Sequence, residues 1–132
     1  MEQEKRAWIY CRIDAPEDTH GALKKQRQQL IDYANQMGFI VVGSSEDMAS
    51  GLDYDRPGLK RFAKAAHTDR ADVLLVHDIS RIGRDICLTM RYLEQLRQKG
   101  VAVYSPLEGI LDFTFQRVIQ NMAECVEQQM RP

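Results

Sequence analysis

Short apolar runs alternate with longer stretches of helical periodicity along this chain, and that alternation leaves few folds open to it. Trp8 to Cys11, Phe39-Ile40-Val41-Val42, Val73-Leu74-Leu75-Val76 and Val101-Ala102-Val103-Tyr104 each read as a strand. After the first, a polar loop through Pro16-Glu17-Asp18 leads to a helix from about Thr19 or His20 to Met37. Its apolar residues Leu23, Leu30, Ile31, Ala34 and Met37 share one face, and Gly38 supplies a stop. Pro57 suits the first turn of a helix, where its missing N–H costs nothing, and Leu59, Phe62, Ala63 and Ala66 form a stripe behind it. A further helix from about Asp85 carries Ile86, Met90, Leu93 and Leu96 inward and stops at Gly100. Strands that alternate with helices predict an α/β fold: a three-layer, parallel-type sheet of about four strands with crossover helices.

A long C-terminal helix is expected from about residue 112 to 130. Its stripe of Phe115, Val118, Ile119, Met122, Val126 and Met130 has no later element to cover it. Such a face either packs on its own sheet or pairs with another subunit. The 132 residues are expected to form one domain, with no separate DNA-recognition domain.

No apolar run approaches the roughly 18 residues of a membrane span, so no membrane partner is expected. The start, Met1-Glu2-Gln3-Glu4-Lys5-Arg6, lacks the apolar region of a secretory signal, which points to the cytoplasm. Cys11, Cys87 and Cys125 are scattered and read as small apolar side chains rather than a disulfide framework. His20, His67 and His77 have no metal-ligand spacing, and neither a metal nor another cofactor is expected.

The strongest chemical signal is His77-Asp78-Ile79-Ser80-Arg81-Ile82-Gly83-Arg84, two arginines and a glycine directly beyond an apolar strand. Planar guanidinium forks match phosphate oxygens. Arg12 follows another strand, and groups beyond the carboxyl ends of parallel strands share one crevice, so Arg12, Arg81 and Arg84 are expected to converge. With a net charge of −1 the chain cannot coat nucleic acid generally. Phosphate recognition must be local, and binding to DNA by such a domain alone is expected to be weak and salt-sensitive.

Five ordered motifs carry a resemblance: Tyr10-Cys11-Arg12-Ile13, Gln26 within Ala22 to Gln26, Asp47-Met48-Ala49-Ser50-Gly51, Arg56-Pro57-Gly58-Leu59 and Asp78 to Arg84. Together they resemble the catalytic domain of serine site-specific recombinases, the resolvase and invertase group, and the last motif is closest in wording to the large transposon-associated branch. The resemblance implies a nucleophilic serine that attacks a DNA phosphodiester to give a phosphoserine link, with arginines balancing the transition-state charge and no metal required. Position by position it assigns Arg12, Arg56, Arg81 and Arg84 as the arginines, Gln26 as a supporting polar residue, Asp47 as an acidic one, and Ser80 to a position held by Asp or Ser.

The nucleophile position, two after Arg12, holds Asp14. An aspartate attacking a phosphodiester would give an acyl phosphate that hydrolyses, whereas strand exchange needs a bond whose energy is kept for religation. At about 4 Å and an effective dielectric near 20, a carboxylate and a phosphate repel by on the order of 4 kcal/mol before screening. The expectation is a domain impaired in cleavage, with Asp14 standing among Arg12, Arg81 and Arg84 in place of a phosphate.

Ser50 and Ser80 are weaker candidates for a replacement nucleophile, and Ser44 and Ser45 read as hydrogen-bonding residues of a strand end. Each assigned residue also has an ordinary structural explanation: Gly51 and Gly58 permit turns, Arg56 caps or salt-bridges the helix it precedes, Gln26 is solvated, and Asp47 and Asp78 shape loops. Two other functions remain open. One is a non-enzymatic oligomerisation or regulatory partner of an active recombinase, pairing as a homodimer or higher oligomer through the C-terminal helix. The other is a receiver-like phosphoacceptor module with Asp14, Asp47 and Asp78 around a metal.

Overall fold

The computed structural model describes residues 4–13, 21–48, 56–68, 70–83 and 85–111. In chain order the elements are β1 (Arg6–Ile13), α1 (Ala22–Met37), β2 (Ile40–Met48), α2 (Pro57–His67), β3 (Val73–Leu75), a 3₁₀ turn (Ile79–Arg81), α3 (Ile86–Gln98), β4 (Ala102–Ser105) and β5 (Gly109–Ile110). The helix expected over about 112–130 lies outside the described residues.

The sheet order is β2-β1-β3-β4-β5. β1 pairs in parallel with β2 and β3, and β3 with β4, while the short β5 turns back antiparallel on β4. This is the α/β fold that the alternation of runs predicts, with one strand more than the four expected. β5 is only two residues long and too short for any periodicity to reveal.

Strand parity builds two cores. Ala7, Ile9, Cys11 and Ile13 of β1, with Val73 and Leu75 of β3, pack against Leu23, Leu30 and Ala34 of α1. Trp8 and Tyr10 of β1 and Leu74 of β3 face the other way, onto Leu59 and Phe62 of α2 and Met90, Leu93 and Leu96 of α3. Burial on both faces is why β1 and β3 read as nearly continuous apolar runs. Crossover handedness accounts for the division of the helices: β1 to β2 steps one way along the sheet, whereas β2 to β3 and β3 to β4 step the other way. α1 therefore covers one face, and α2 and α3 the opposite one.

Several local expectations change. Met37 and Ile86, expected inward, are 45% and 51% exposed, at the last residue of α1 and the first of α3. β2 begins one residue after Phe39, whose ring instead meets Tyr104 edge-on at 5.2 Å, and it runs on to Met48. Ser45 lies within β2, not at its end, and its hydroxyl accepts from the Trp8 indole at 2.9 Å and donates to the Gly58 carbonyl at 2.6 Å. α1 stops as expected at Gly38, whose φ of 76° suits a residue without a side chain.

Candidate functional site

Because β2 and β3 flank β1 on opposite sides, the chain reverses direction across the sheet at β1. The crevice beyond the carboxyl ends of β1 and β3 is thus the topological switch point, where open α/β sheets bind ligands. Arg12 stands near the end of β1, two residues beyond Tyr10 and of the same parity, so its side chain leaves on the α2 side. The 3₁₀ turn that follows β3 carries Ser80 and Arg81 to the same place, and Arg56 arrives there as the residue before α2.

The three guanidinium groups lace these segments together through backbone carbonyls. Arg12 donates from Nε to the Arg81 carbonyl at 3.0 Å and from Nη2 to the Ser80 carbonyl at 2.6 Å. Arg81 Nη1 returns a bond to the Arg12 carbonyl at 2.9 Å. Arg56 donates from Nη1 to the Arg81 carbonyl at 3.0 Å and from Nη2 to the Ile82 carbonyl. Arg12 and Arg56 are 1% and 0% exposed, whereas the Arg81 side chain keeps 27% of its surface open. Burying two such cations is tolerable because each donates two N–H groups to backbone carbonyls. Of the three, Arg81 presents the most accessible charge.

Gln26, on α1, is buried and holds the backbone of Arg12 from the other face of the sheet. Its Oε1 accepts from the Arg12 amide at 3.0 Å and its Nε2 donates to the Arg12 carbonyl at 3.3 Å. A solvated side chain on the helix is therefore excluded.

Asp47 forms a second node. It is buried near the end of β2 and caps α2 from outside the helix, accepting from the Gly58 amide at 2.8 Å and the Leu59 amide at 3.1 Å. The same carboxylate accepts the Tyr10 hydroxyl at 2.9 Å. A Cβ at Gly58 would come within 2.8 Å of both Asp47 Oδ2 and the Glu46 carbonyl, so close approach rather than a turn accounts for this glycine. Arg56 lies with Cζ 5.7 Å from the centre of the Tyr10 ring, a cation–π distance, and joins this node to the arginines. Burial drives the Tyr10 hydroxyl well above its ordinary pKa, against the attraction of Arg56 and with the help of Asp47.

Asp78 organises the 3₁₀ turn. Its Oδ1 accepts from the Ser80 amide at 2.9 Å and from the Ser80 hydroxyl, and its Oδ2 lies 2.9 Å from His77 Nδ1. Arg81 Nε stands 3.5 Å from the same oxygen, an ion-pair separation too long for a good hydrogen bond. Burial alone would raise the Asp78 carboxyl, but the bonds from Ser80 and His77 and the Arg81 charge outweigh it and hold the pKa below its ordinary value. With its hydroxyl on Asp78, Ser80 is a structural donor in this arrangement.

Of the residues assigned from sequence, Arg12, Gln26, Asp47, Arg56, Ser80 and Arg81 are brought together at one end of the sheet. Asp14, Arg84, Ser50 and Gly51 lie outside the described residues. Sequence reasoning gave no role to Tyr10, although parity with Arg12 places it on the same face. It also passed over Ser105 and Glu108, whose Ser-Pro-Leu-Glu spacing after a strand is a turn signal. Both carboxylates of the site, Asp47 and Asp78, are surrounded by N–H and O–H donors. Among the described residues no group of three or more His, Cys, Asp or Glu could hold a metal ion, and no helix is long and apolar enough to cross a membrane.

Residues 7–131 match the family model of the resolvase N-terminal domain. A DNA-invertase of Enterobacteria phage P7 is 35% identical over 65 residues, covering 49% of this chain and 34% of that protein. The matched segment therefore spans about a third of the length of that relative. The N-terminal catalytic domain of TP901-1 integrase superposes with a TM-score of 0.78 at 20% identity, covering 95% of both chains. The C-terminal catalytic domain of an IS607-like serine recombinase does so with a TM-score of 0.70 at 26% identity, covering 94% of this chain and 82% of the other. With the family model spanning nearly every residue and the parallel sheet carrying the arginine motifs, the chain belongs to the resolvase N-terminal domain family and has the catalytic-domain fold of the serine recombinases.

Proposed function

We propose that residues 1–132 form one catalytic domain of site-specific DNA recombination that engages a DNA phosphate at its arginine crevice and is impaired in strand cleavage by Asp14. The observation that carries this reading is the meeting of Arg12, Arg56 and Arg81 at the switch point. Arg12 and Arg56 brace the turn and add positive potential from below, and Arg81, the most accessible of the three, faces the phosphate together with Arg84. Low local dielectric strengthens that field relative to water.

Where relatives use serine, Asp14 offers a carboxylate. It competes with the phosphate for the guanidinium groups, and any covalent link it formed would be a hydrolysable acyl phosphate. The domain on this account binds DNA weakly and forms no lasting covalent link. Pairing through the helix expected over about residues 112–130, as a homodimer or higher oligomer, would bring a second crevice to the other strand. The same pairing would let a cleavage-deficient chain regulate an active recombinase.

Fluorescence anisotropy with a labelled DNA duplex at low salt tests the phosphate site. Arg81→Ala is expected to weaken binding about tenfold and to lower the salt slope by about one, as loss of a single phosphate contact does. Asp14→Ser is expected to bind at least as tightly as the natural chain. Equal affinity of the natural chain and Arg81→Ala contradicts the reading.

A further inference from the structure

Two side chains at the junction of β4 and β5, Ser105 and Glu108, reach the arginine segment. Ser105 is fully buried at the end of β4. Its hydroxyl donates to the His77 carbonyl at 2.8 Å and accepts from the Leu107 and Glu108 amides at 3.1 and 3.2 Å. A single oxygen thus ties the chain entering the 3₁₀ turn to the β4–β5 turn and gives the latter its shape. Glu108, held by that shape, accepts the Ile79 amide on Oε1 at 3.0 Å.

With these bonds the backbone from residue 77 to 82 is gripped from two sides. Ser105 holds the carbonyl of 77, Glu108 the amide of 79, and Asp78 the amide of 80. Arg12 and Arg56 hold the carbonyls of 80, 81 and 82. The guanidinium face of the clasp was legible in the sequence motifs, whereas the β4–β5 face was not.

We infer that Ser105 and Glu108 are positioning residues for Arg81. This inference rests on the proposed phosphate site and adds a device that orients it. They touch no phosphate themselves. They fix the backbone from which Arg81 projects, so its fork is aimed before DNA arrives and less ordering remains to be done on binding. A carboxylate at Glu108 also suits the amide end of the turn, but the inference needs only an acceptor oxygen there.

Four variants of the full chain separate positioning from folding: Ser105→Ala, Ser105→Thr, Glu108→Ala and Glu108→Gln, each measured for duplex binding by anisotropy and for amide hydrogen exchange at Ile79. Ser105→Ala and Glu108→Ala are expected to weaken binding about tenfold, the scale seen when groups that orient a binding residue are removed, and to speed exchange at Ile79. Ser105→Thr and Glu108→Gln keep an acceptor oxygen and are expected to restore both. The salt slope should match that of the natural chain in all four, because every cation is still present.

Arg81→Ala is the control that separates the two ideas. If Arg81→Ala weakens binding while both alanine variants bind like the natural chain, the positioning inference is overturned and the phosphate site stands. If Arg81→Ala has no effect, the phosphate site is wrong, and unchanged Ile79 exchange in the alanine variants then overturns the clasp as well. Glu108 is exposed, so its alanine variant keeps the inference open to refutation even if Ser105→Ala does not fold.

Discussion

Arg12 and Arg81, 69 residues apart, each donate a guanidinium N–H to the other's backbone carbonyl, at 3.0 and 2.9 Å. The exchange joins the end of β1 to the turn after β3, the two elements that border the switch point. It makes the most accessible of the three arginines and a fully buried one parts of a single unit.

Arg12→Lys tests that unit. A lysine carries one compact ammonium and cannot serve the Arg81 and Ser80 carbonyls as a fork does. With the site buried, about 2–4 kcal/mol of stability should be lost in urea unfolding. A loss below about 0.5 kcal/mol, the range of ordinary surface changes, would show that the bonds of Arg12 do not hold the turn.

Asp47→Asn tests the second node. Either orientation of the amide turns an NH₂ group toward the Gly58 amide on one side or toward the Leu59 amide and Tyr10 hydroxyl on the other. The loss should be about 2–3 kcal/mol, from an uncapped helix and a buried donor without its acceptor. Tyr10→Phe alone should cost about 1 kcal/mol. In the double variant the total loss should fall short of the sum of the two, because one bond is counted in both.

Cys11 should be inert in the folded chain. Burial first, and then the Glu46 charge, push its thiol up to about 12 against the pull of Arg27 and Arg81, which leaves almost no thiolate at neutral pH. A thiol reagent at about pH 8 followed by peptide mapping should leave Cys11 unlabelled natively and label it in denaturant. Rapid native labelling would mean that β1 is open on its α1 face.

Acid should loosen the arginine turn. The Asp78 carboxyl is held below its ordinary value of 3.8, so the ionised form is favoured in the folded state. Its contribution is complete above the unfolded value and is lost as the pH falls through the folded one. Stability should therefore be flat in this respect at neutral pH and decline below about pH 4, and Asp78→Asn should flatten that decline. An unchanged acid limb in Asp78→Asn would assign the loss elsewhere, for instance to Asp72, which Arg6 holds low by hydrogen bonds.

Much of the architecture was readable because burial on both faces leaves long apolar runs. Val73 to Val76 is the plainest case, and helix stripes such as Leu59 and Phe62 point the same way. Positions at element ends were not readable: Ile86 keeps the period of its helix but is exposed as its first residue. β5, at two residues, has no period at all. At the site, motif order located Arg12, Arg56, Arg81, Gln26 and Asp47. What order could not give is which atoms they meet, since pairs such as Tyr10 with Asp47, or Ser105 with His77, depend on strand register and turn shape. Arg56 shows the gap most clearly: motif order assigns it to the arginine set, but only the fold shows it as a buried cation on two carbonyls.

The most direct test of the central claim is covalent capture on a suicide DNA substrate, comparing the natural chain, Asp14→Ser, and Asp14→Ser combined with Arg81→Ala. The account predicts no lasting adduct with the natural chain, a protein–DNA adduct with Asp14→Ser, and its loss when Arg81 is also removed. A stable adduct formed by the natural chain, or an Asp14→Ser adduct indifferent to Arg81, would contradict it.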